Sequence, residues 1–296
     1  MSHALQTVAV LGSGTMGAGI AQVCALRGCV TILYDLTPEI VNAGYERIRA
    51  SIQKGVDLGK TAPDAAAMAL ARLHPTARLE DCSPADMAIE AAPEDMGLKR
   101  DLFHRLDALL SPTALLASNT SSLSITALAG SVKRPEQFLG LHFFNPPVLM
   151  ALVEVIRGDR TSPKTLEAGL KFVRELGKTP VVCKDTPAFI VNRVARPFYG
   201  EALRLLGENI ADPSTRLPAS GQVPATIDTL MKSLGFKMGP FELMDLIGLD
   251  VNFAVTQSVY NAFFHDPRYR PHPIQQRMVE AGLLGRKTKR GFYEYP

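Results

Sequence analysis

The hydrophobic and polar positions of this 296-residue chain follow two successive patterns. In the first, short apolar runs alternate with stretches of helical period. Residues 7–11 (TVAVL), 29–34 (CVTILY), 87–90 (MAIE), 115–118 (LLAS), 138–143 (FLGLHF), 152–156 (LVEVI) and 180–183 read as strands, and 18–26 and 163–176 as helices. This alternation predicts a parallel, doubly wound sheet. Residues 39–71 look helical with an interruption at 55–63 (GVDLGKTAP), which predicts two antiparallel helices leaving the body of the domain. After KDTP at 184–187, read as a linker, the pattern turns helical: 189–207, 227–234, 240–247, 251–264 and 274–281. The segment 212–224 is rich in Pro, Ser and Gly and reads as an exposed loop.

Composition narrows the class. With 46% hydrophobic and 21% charged residues the chain is an ordinary globular one, long enough for two cores, and neither fibrous nor disordered. A net charge of +3 is too small an excess to argue for nucleic acid. The four cysteines, Cys24, Cys29, Cys82 and Cys183, have neither C-x-x-C spacing nor a disulfide pattern, so they are expected to be reduced and mostly buried. A strand pattern beginning at Thr7 leaves no room for a targeting peptide, and no apolar run approaches the ~18 residues of a membrane span. These features predict a cytoplasmic protein with no membrane partner and no metal.

The first strand runs into GSGTMG and then a helix. Gly12, Gly14 and Gly17 stand at G-x-G-x-x-G spacing, which permits a tight turn, close backbone approach to a pyrophosphate and close packing of helix on strand. Free N–H groups at the helix start then face the phosphates. The second strand ends at Asp35, where a carboxylate can hold the ribose 2′-hydroxyl of NAD and would repel the 2′-phosphate of NADP. A Rossmann-type dinucleotide domain with NAD as cofactor follows. The predicted fold class is α/β, a doubly wound sheet with a helical-hairpin insertion at about 38–75, then an all-α C-terminal domain. The expected domains are 1–186 and 187–296.

Candidate chemistry lies at the carboxyl ends of the strands, where such sheets bind ligands. Residues 90–94, 118–122 and 142–145 converge there. His142 and Glu154 are the titratable groups in the otherwise apolar stretch 141–155, and a carboxylate that fixes an imidazole tautomer makes a general base. The hydroxyls and amide of SNTSS equally suit helix capping. Arg47, Arg49, Lys54 and Lys60 give the hairpin a basic face, which is either solvated or a clamp for an anionic substrate tail. Apolar residues on many faces of the C-terminal helices predict a homodimer through that domain.

GSGTMGAGIAQ, ASNTSSLSIT, GLHFFNPP, LVEVI, KDTPAFIVNR, MGPFELMDLIGLD and GRKTKRGFYEY together resemble the L-3-hydroxyacyl-CoA dehydrogenases, over essentially the whole chain. The resemblance implies NAD-dependent oxidation of (S)-3-hydroxyacyl-CoA to 3-oxoacyl-CoA. It implies His142 as base, Glu154 as its orienting partner, and Ser121 and Asn192 as donors to the reacting oxygen. It further implies NAD contacts from Gly12, Gly14, Thr15, Met16, Gly17, Asp35, Glu94, Lys99, Asn145 and Lys287. CoA contacts are implied for Ser51 and for either Lys54 or Lys60, since Leu58 falls where the family has lysine. The segment 212–224 is longer than usual, Met150-Ala151 replaces methionine-lysine, and Lys289 replaces glycine. No hydratase domain accompanies the dehydrogenase, so the single-function form is expected. A dehydrogenase of a free hydroxy or sugar acid is the alternative enzyme, and a nucleotide-binding sensor the alternative outside enzymes.

Overall fold

In the computed structural model, which describes residues 5–208, 210 and 223–296, the chain divides into two compact units, Met1–Phe189 and Ile190–Pro296. Most of the expected loop 212–224 lies outside the described residues.

The first unit follows the alternation of the sequence. It runs β1 (Thr7–Leu11), α1 (Thr15–Leu26), β2 (Val30–Tyr34), α2 (Pro38–Asp57), α3 (Pro63–Ala71), β3 (Leu73–Thr76), β4 (Met87–Glu90), α4 (Met96–Leu109), β5 (Leu115–Ser118), α5 (Ile125–Ala129), β6 (Phe138–Phe143), β7 (Leu152–Arg157), α6 (Pro163–Glu175) and β8 (Thr179–Lys184). One sheet holds all eight strands in the order β3-β2-β1-β4-β5-β6-β7-β8. Strands β1, β4, β5 and β6 are buried along nearly their whole length, as a sheet covered on both faces requires.

Two features depart from the pattern reading. Strand β3 escaped it, because LHPT offers neither alternation nor β-branched density, and Pro75 is tolerated only because the strand lies at the sheet edge. Strand β7 runs antiparallel to β6, whereas a wholly parallel sheet was expected. The short link 144–151 explains this, since a parallel return needs a crossover of a dozen residues or more.

The helical hairpin is rooted in the core. Val41, Ile48 and Ile52 of α2 and Ala66 and Ala69 of α3 share one buried cluster with Val10 of β1, Ala21 of α1 and Leu33 of β2. Thr37 caps α2, its hydroxyl accepting from Ile40 N, and Pro38 starts the helix. KDTP does more than link. Asp185 accepts from Ser124 Oγ (2.7 Å), Ile125 N (3.1 Å) and Thr126 N (2.7 Å), and so fixes the start of α5.

The second unit contains α7 (Val191–Gly207), α8 (Val223–Ser233), α9 (Pro240–Ile247), α10 (Leu249–Ala262) and α11 (Pro273–Glu280). Its core joins Tyr199 and Leu203 of α7, Ile227 of α8, Phe241 and Met244 of α9 and Leu249 of α10. Buried carboxylates fasten the last residues to this core. Asp245 accepts from Phe292 N, Tyr293 N and the Tyr295 hydroxyl, and Asp228 from Phe241 N, Glu242 N and the Tyr293 hydroxyl. A Cβ on Gly291 would lie 2.1 Å from Asp245 Oδ1, so glycine is required there.

Asp245→Ala strands three donors at once, and urea unfolding is expected to register a loss of about 2–4 kcal/mol. An unchanged midpoint would show that the C-terminal residues contribute no stability through this carboxylate.

Candidate active site and dinucleotide site

The glycine turn after β1 is sterically specified. Gly12 has φ +101°, and a Cβ there would lie 2.6 Å from Ala91 O. A Cβ on Gly17 would lie 1.7 Å from Gly12 O, so α1 can sit on the turn only without one. At Gly14 the same position meets nothing within 4 Å. Gly14 is also the N-cap of α1 and supplies no side-chain cap, leaving the first N–H groups open beside free space. This arrangement fits a pyrophosphate. Thr15 and Met16 form the first turn of α1.

Asp35, just past β2, is held for use. Its Oδ2 accepts from Ser13 N (2.7 Å) and Ser13 Oγ (2.8 Å), and its Oδ1 from Leu36 N (2.8 Å). An ionised carboxylate accepts about four hydrogen bonds, so capacity remains for a ribose hydroxyl. Ser13, which the motif reading passed over, is thus the residue that aims Asp35.

His142 and Glu154 face each other across the antiparallel pair β6–β7, in direct register. Nδ1 of His142 lies 2.7 Å from Oε2 of Glu154, and the two residues are 6% and 1% exposed. A carboxylate acceptor on Nδ1 keeps the proton there and leaves the lone pair on Nε2. The Phe144 and Phe189 rings, with centroids 4.6 Å and 5.8 Å from that of the imidazole, flank it. Asn119 fixes the strand end beside this pair, its Oδ1 accepting from Phe143 N at 2.8 Å. The sequence suggested helix capping for this amide. Capping of α5 falls instead to Ser124, whose hydroxyl accepts from Ala127 N.

A buried ionic network lies at the ends of β4 and β5. Lys99, 1% exposed, donates from Nζ to Glu90 Oε1 and to Ala92 O at 3.0 Å, and pairs with Glu94 Oε2 at 3.2 Å. Glu90, wholly buried, also accepts from Ser118 Oγ (2.6 Å) and Ala92 N (2.6 Å). Burial raises the Glu90 pKa, with Lys99 and these donors opposing the rise. Burial also pushes that of Glu94 upward, but Lys99 and the Thr120, Ser122 and Ser121 donors outweigh it and the net shift is down.

Oε1 of Glu94 accepts from Thr120 Oγ1, Ser121 N (3.0 Å), Ser122 N (3.2 Å), Ser122 Oγ (3.0 Å) and Ser121 Oγ (3.4 Å). That is more than one oxygen satisfies well. The Ser121 hydroxyl makes the longest of these bonds and is therefore the easiest to redirect to a ligand. Sequence reading placed Glu90, Ser118 and Thr120 within the converging segments 90–94 and 118–122 but gave none of the three a role.

The remaining candidates lie elsewhere. Asn145 is exposed beyond β6. Ser51 and Lys54 are three residues apart on α2, hence on one face, and Lys60 is exposed in the turn before α3. Asn192 and Lys287 belong to the second unit. Asn192 is in the first turn of α7, and Lys287 pairs with Asp250 of α10. Cys24, Cys29, Cys82 and Cys183 are all free and buried, and burial pushes the Cys82 and Cys183 thiols up to about 12, as inert core groups.

Residues 7–186 match the model of the 3-hydroxyacyl-CoA dehydrogenase NAD binding domain, and residues 189–295 that of the 3-hydroxyacyl-CoA dehydrogenase C-terminal domain. The chain belongs to the 3-hydroxyacyl-CoA dehydrogenase family. NAD is accordingly the cofactor, and the protein is an NAD-dependent oxidoreductase. It is 43% identical to a 3-hydroxybutyryl-CoA dehydrogenase of Bradyrhizobium diazoefficiens, over 100% of this chain and 97% of that protein. It is 45% identical to a 3-hydroxyadipyl-CoA dehydrogenase of Escherichia coli, over 98% of this chain but only 59% of that longer protein. The crystal structure of (S)-3-hydroxybutyryl-CoA dehydrogenase from Ralstonia eutropha superposes with a TM-score of 0.91 at 40% identity, covering 99% of each chain.

Lys99→Met leaves the buried Glu90 carboxylate without its cation. A loss of about 3–5 kcal/mol in denaturant unfolding is expected. Wild-type stability in that variant would mean that Glu90 is protonated and needs no partner.

Proposed function

We propose that the chain oxidises (S)-3-hydroxyacyl-CoA to 3-oxoacyl-CoA with His142 and Glu154 as the base dyad. The observation that carries this reading is the 2.7 Å Nδ1–Oε2 contact between two nearly buried groups. NAD, when bound, supplies the hydride acceptor. Nε2 of His142 takes the proton of the 3-hydroxyl as hydride leaves C3, and Glu154 stabilises the resulting imidazolium. The Ser121 hydroxyl and the Asn192 amide steady charge on the reacting oxygen, roles implied by the family resemblance and consistent with the weakly held Ser121 hydroxyl. Gly12, Gly14, Gly17 and Asp35 hold the pyrophosphate and adenine-side ribose, with Glu94, Lys99, Asn145 and Lys287 as the further NAD contacts.

Ser51, together with Lys54 or Lys60, would hold the CoA end. Two of the relatives are a 3-hydroxybutyryl-CoA and a 3-hydroxyadipyl-CoA dehydrogenase, and the adipyl chain ends in a carboxylate. The apolar Val194, Leu230, Leu234 and Phe236, 49–74% exposed on the second unit, support a homodimer through that unit. No helix among the described residues is long and apolar enough to cross a membrane; a cytoplasmic location belongs to this reading as an expectation.

His142→Gln is expected to lower kcat by about 10²–10⁴-fold while NADH still binds, read by NADH fluorescence titration beside steady-state rates. Wild-type turnover in this variant sinks the proposed dyad. A companion comparison concerns the substrate. The CoA thioester of 3-hydroxybutyrate should be oxidised far faster than the free acid, and equal rates would transfer the reading to a dehydrogenase of free hydroxy acids.

A further inference from the structure

Arg47 of α2 is a cation that neither the base dyad nor the proposed CoA contacts use. The basic face of the hairpin is open in the sequence to two readings, a solvated surface or a clamp for an anionic tail, and the residues on it divide. Arg49 pairs with Glu46 of its own helix, both side chains more than half exposed. Arg47 turns toward the protein instead. Its Nη2 donates to the Ser13 carbonyl at 2.7 Å, and no carboxylate among the described residues pairs with it. The acceptor is the backbone of the glycine turn, 34 residues earlier in the chain.

Ser13 is wholly buried, and each of its polar groups is engaged. Its N–H and hydroxyl donate to Asp35 Oδ2, the hydroxyl also lies 3.0 Å from Ile40 O, and its carbonyl accepts from Arg47. A single hydroxyl proton cannot serve Asp35 and Ile40 equally, so the hold on Asp35 depends on where the Ser13 backbone is set. A second, independent observation shows how closely α2 sets it. A Cβ on Gly44 would lie 2.5 Å from Ser13 Cβ and 2.8 Å from Ser13 O, so the helix backbone rests directly on this residue. Gly44 and Arg47 are three residues apart and share a helix face. To that contact the guanidinium adds a charge-assisted hydrogen bond, the stronger kind.

We propose that Arg47 is a positioning residue of the dinucleotide site, holding the glycine turn on α2 through the Ser13 carbonyl and thereby aiming the Asp35 carboxylate at the adenine-side ribose of NAD. The inference rests on the reading that Asp35 accepts from the ribose 2′-hydroxyl. The three residues act in series: Asp35 meets the ribose, Ser13 supplies both donors to Asp35 Oδ2, and Arg47 fixes Ser13. Without the guanidinium the Ser13 peptide is free to turn, its hydroxyl moves toward Ile40 O, and Asp35 loses its orientation while keeping its charge. The lost affinity then falls on the hydroxyl that Asp35 binds and spares the rest of the cofactor. A clamp for the CoA end would act otherwise, because Ser51 and Lys54 lie ~6 Å and ~10 Å further along α2 and on the proposed reading their ligand is the substrate.

The test titrates NADH, and its analogue lacking the adenine-side ribose 2′-hydroxyl, by fluorescence into the full chain as wild type, Arg47→Met and Arg47→Lys. Arg47 is exposed, so neither substitution disturbs the core. The wild type should bind NADH at least roughly tenfold more tightly than the analogue, as a site built to hydrogen-bond a hydroxyl does. In Arg47→Met the NADH dissociation constant should rise roughly five- to tenfold and that of the analogue less than about twofold, as the loss of a charged hydrogen-bond donor would give. Arg47→Lys, which keeps the charge without the planar fork, should recover part of the difference. Parallel weakening of both ligands overturns the inference, because a general packing or electrostatic role makes no distinction at the 2′-hydroxyl. So does unchanged NADH binding, including the case in which only the KM of the acyl-CoA rises, which assigns Arg47 to the anionic end of the substrate. Equal binding of NADH and the analogue by the wild type removes the Asp35 reading and this inference together, whereas discrimination that survives in Arg47→Met removes this inference alone.

Discussion

The antiparallel pairing of β6 and β7 is the constraint on which the candidate site depends. In a wholly parallel sheet the strand after β6 would return through a crossover helix, and its residues would reach the rim at another height. Reversal within a short connection sets Glu154 directly opposite His142, and both are buried by the layers that cover the sheet. The carboxylate therefore needs no long side chain or mobile loop to reach the imidazole. The covalent run of the chain and the ladder register hold both ends of the hydrogen bond, which is the kind of rigid support a base requires.

Much of this could be read from residue order. The strand, glycine turn, helix and acidic strand end of residues 7–35 are local, so the NAD-binding domain was legible from their order and spacing. The helices of the second unit were legible from their period. What escaped was set by partners distant in sequence. LHPT becomes a strand because β2 offers its edge. Ser13 matters because Asp35 arrives beside it, and Asp185 because the start of α5 does. No local pattern records such meetings.

The network around Glu94 was partly legible for the same reason. Polar residues at the ends of apolar strands announced that something was assembled there, but not which charge would be buried. Lys99 proves to be among the largest fully buried side chains, sandwiched by two glutamates whose pKa values move in opposite directions. The wholly buried member rises and the more exposed one falls. One lysine thus braces the sheet through Glu90 and orders the turn carrying Ser121 through Glu94, joining fold stability to site geometry.

The two outermost strands, β3 and β8, each contain a proline, Pro75 and Pro180. Proline has no backbone N–H, so each edge lacks a donor that an incoming strand would need. An eight-stranded sheet with two open margins is otherwise a template for growth by further pairing. Interrupting the margins confines self-association to side-chain surfaces and keeps the sheet from becoming the seed of an extended polymer.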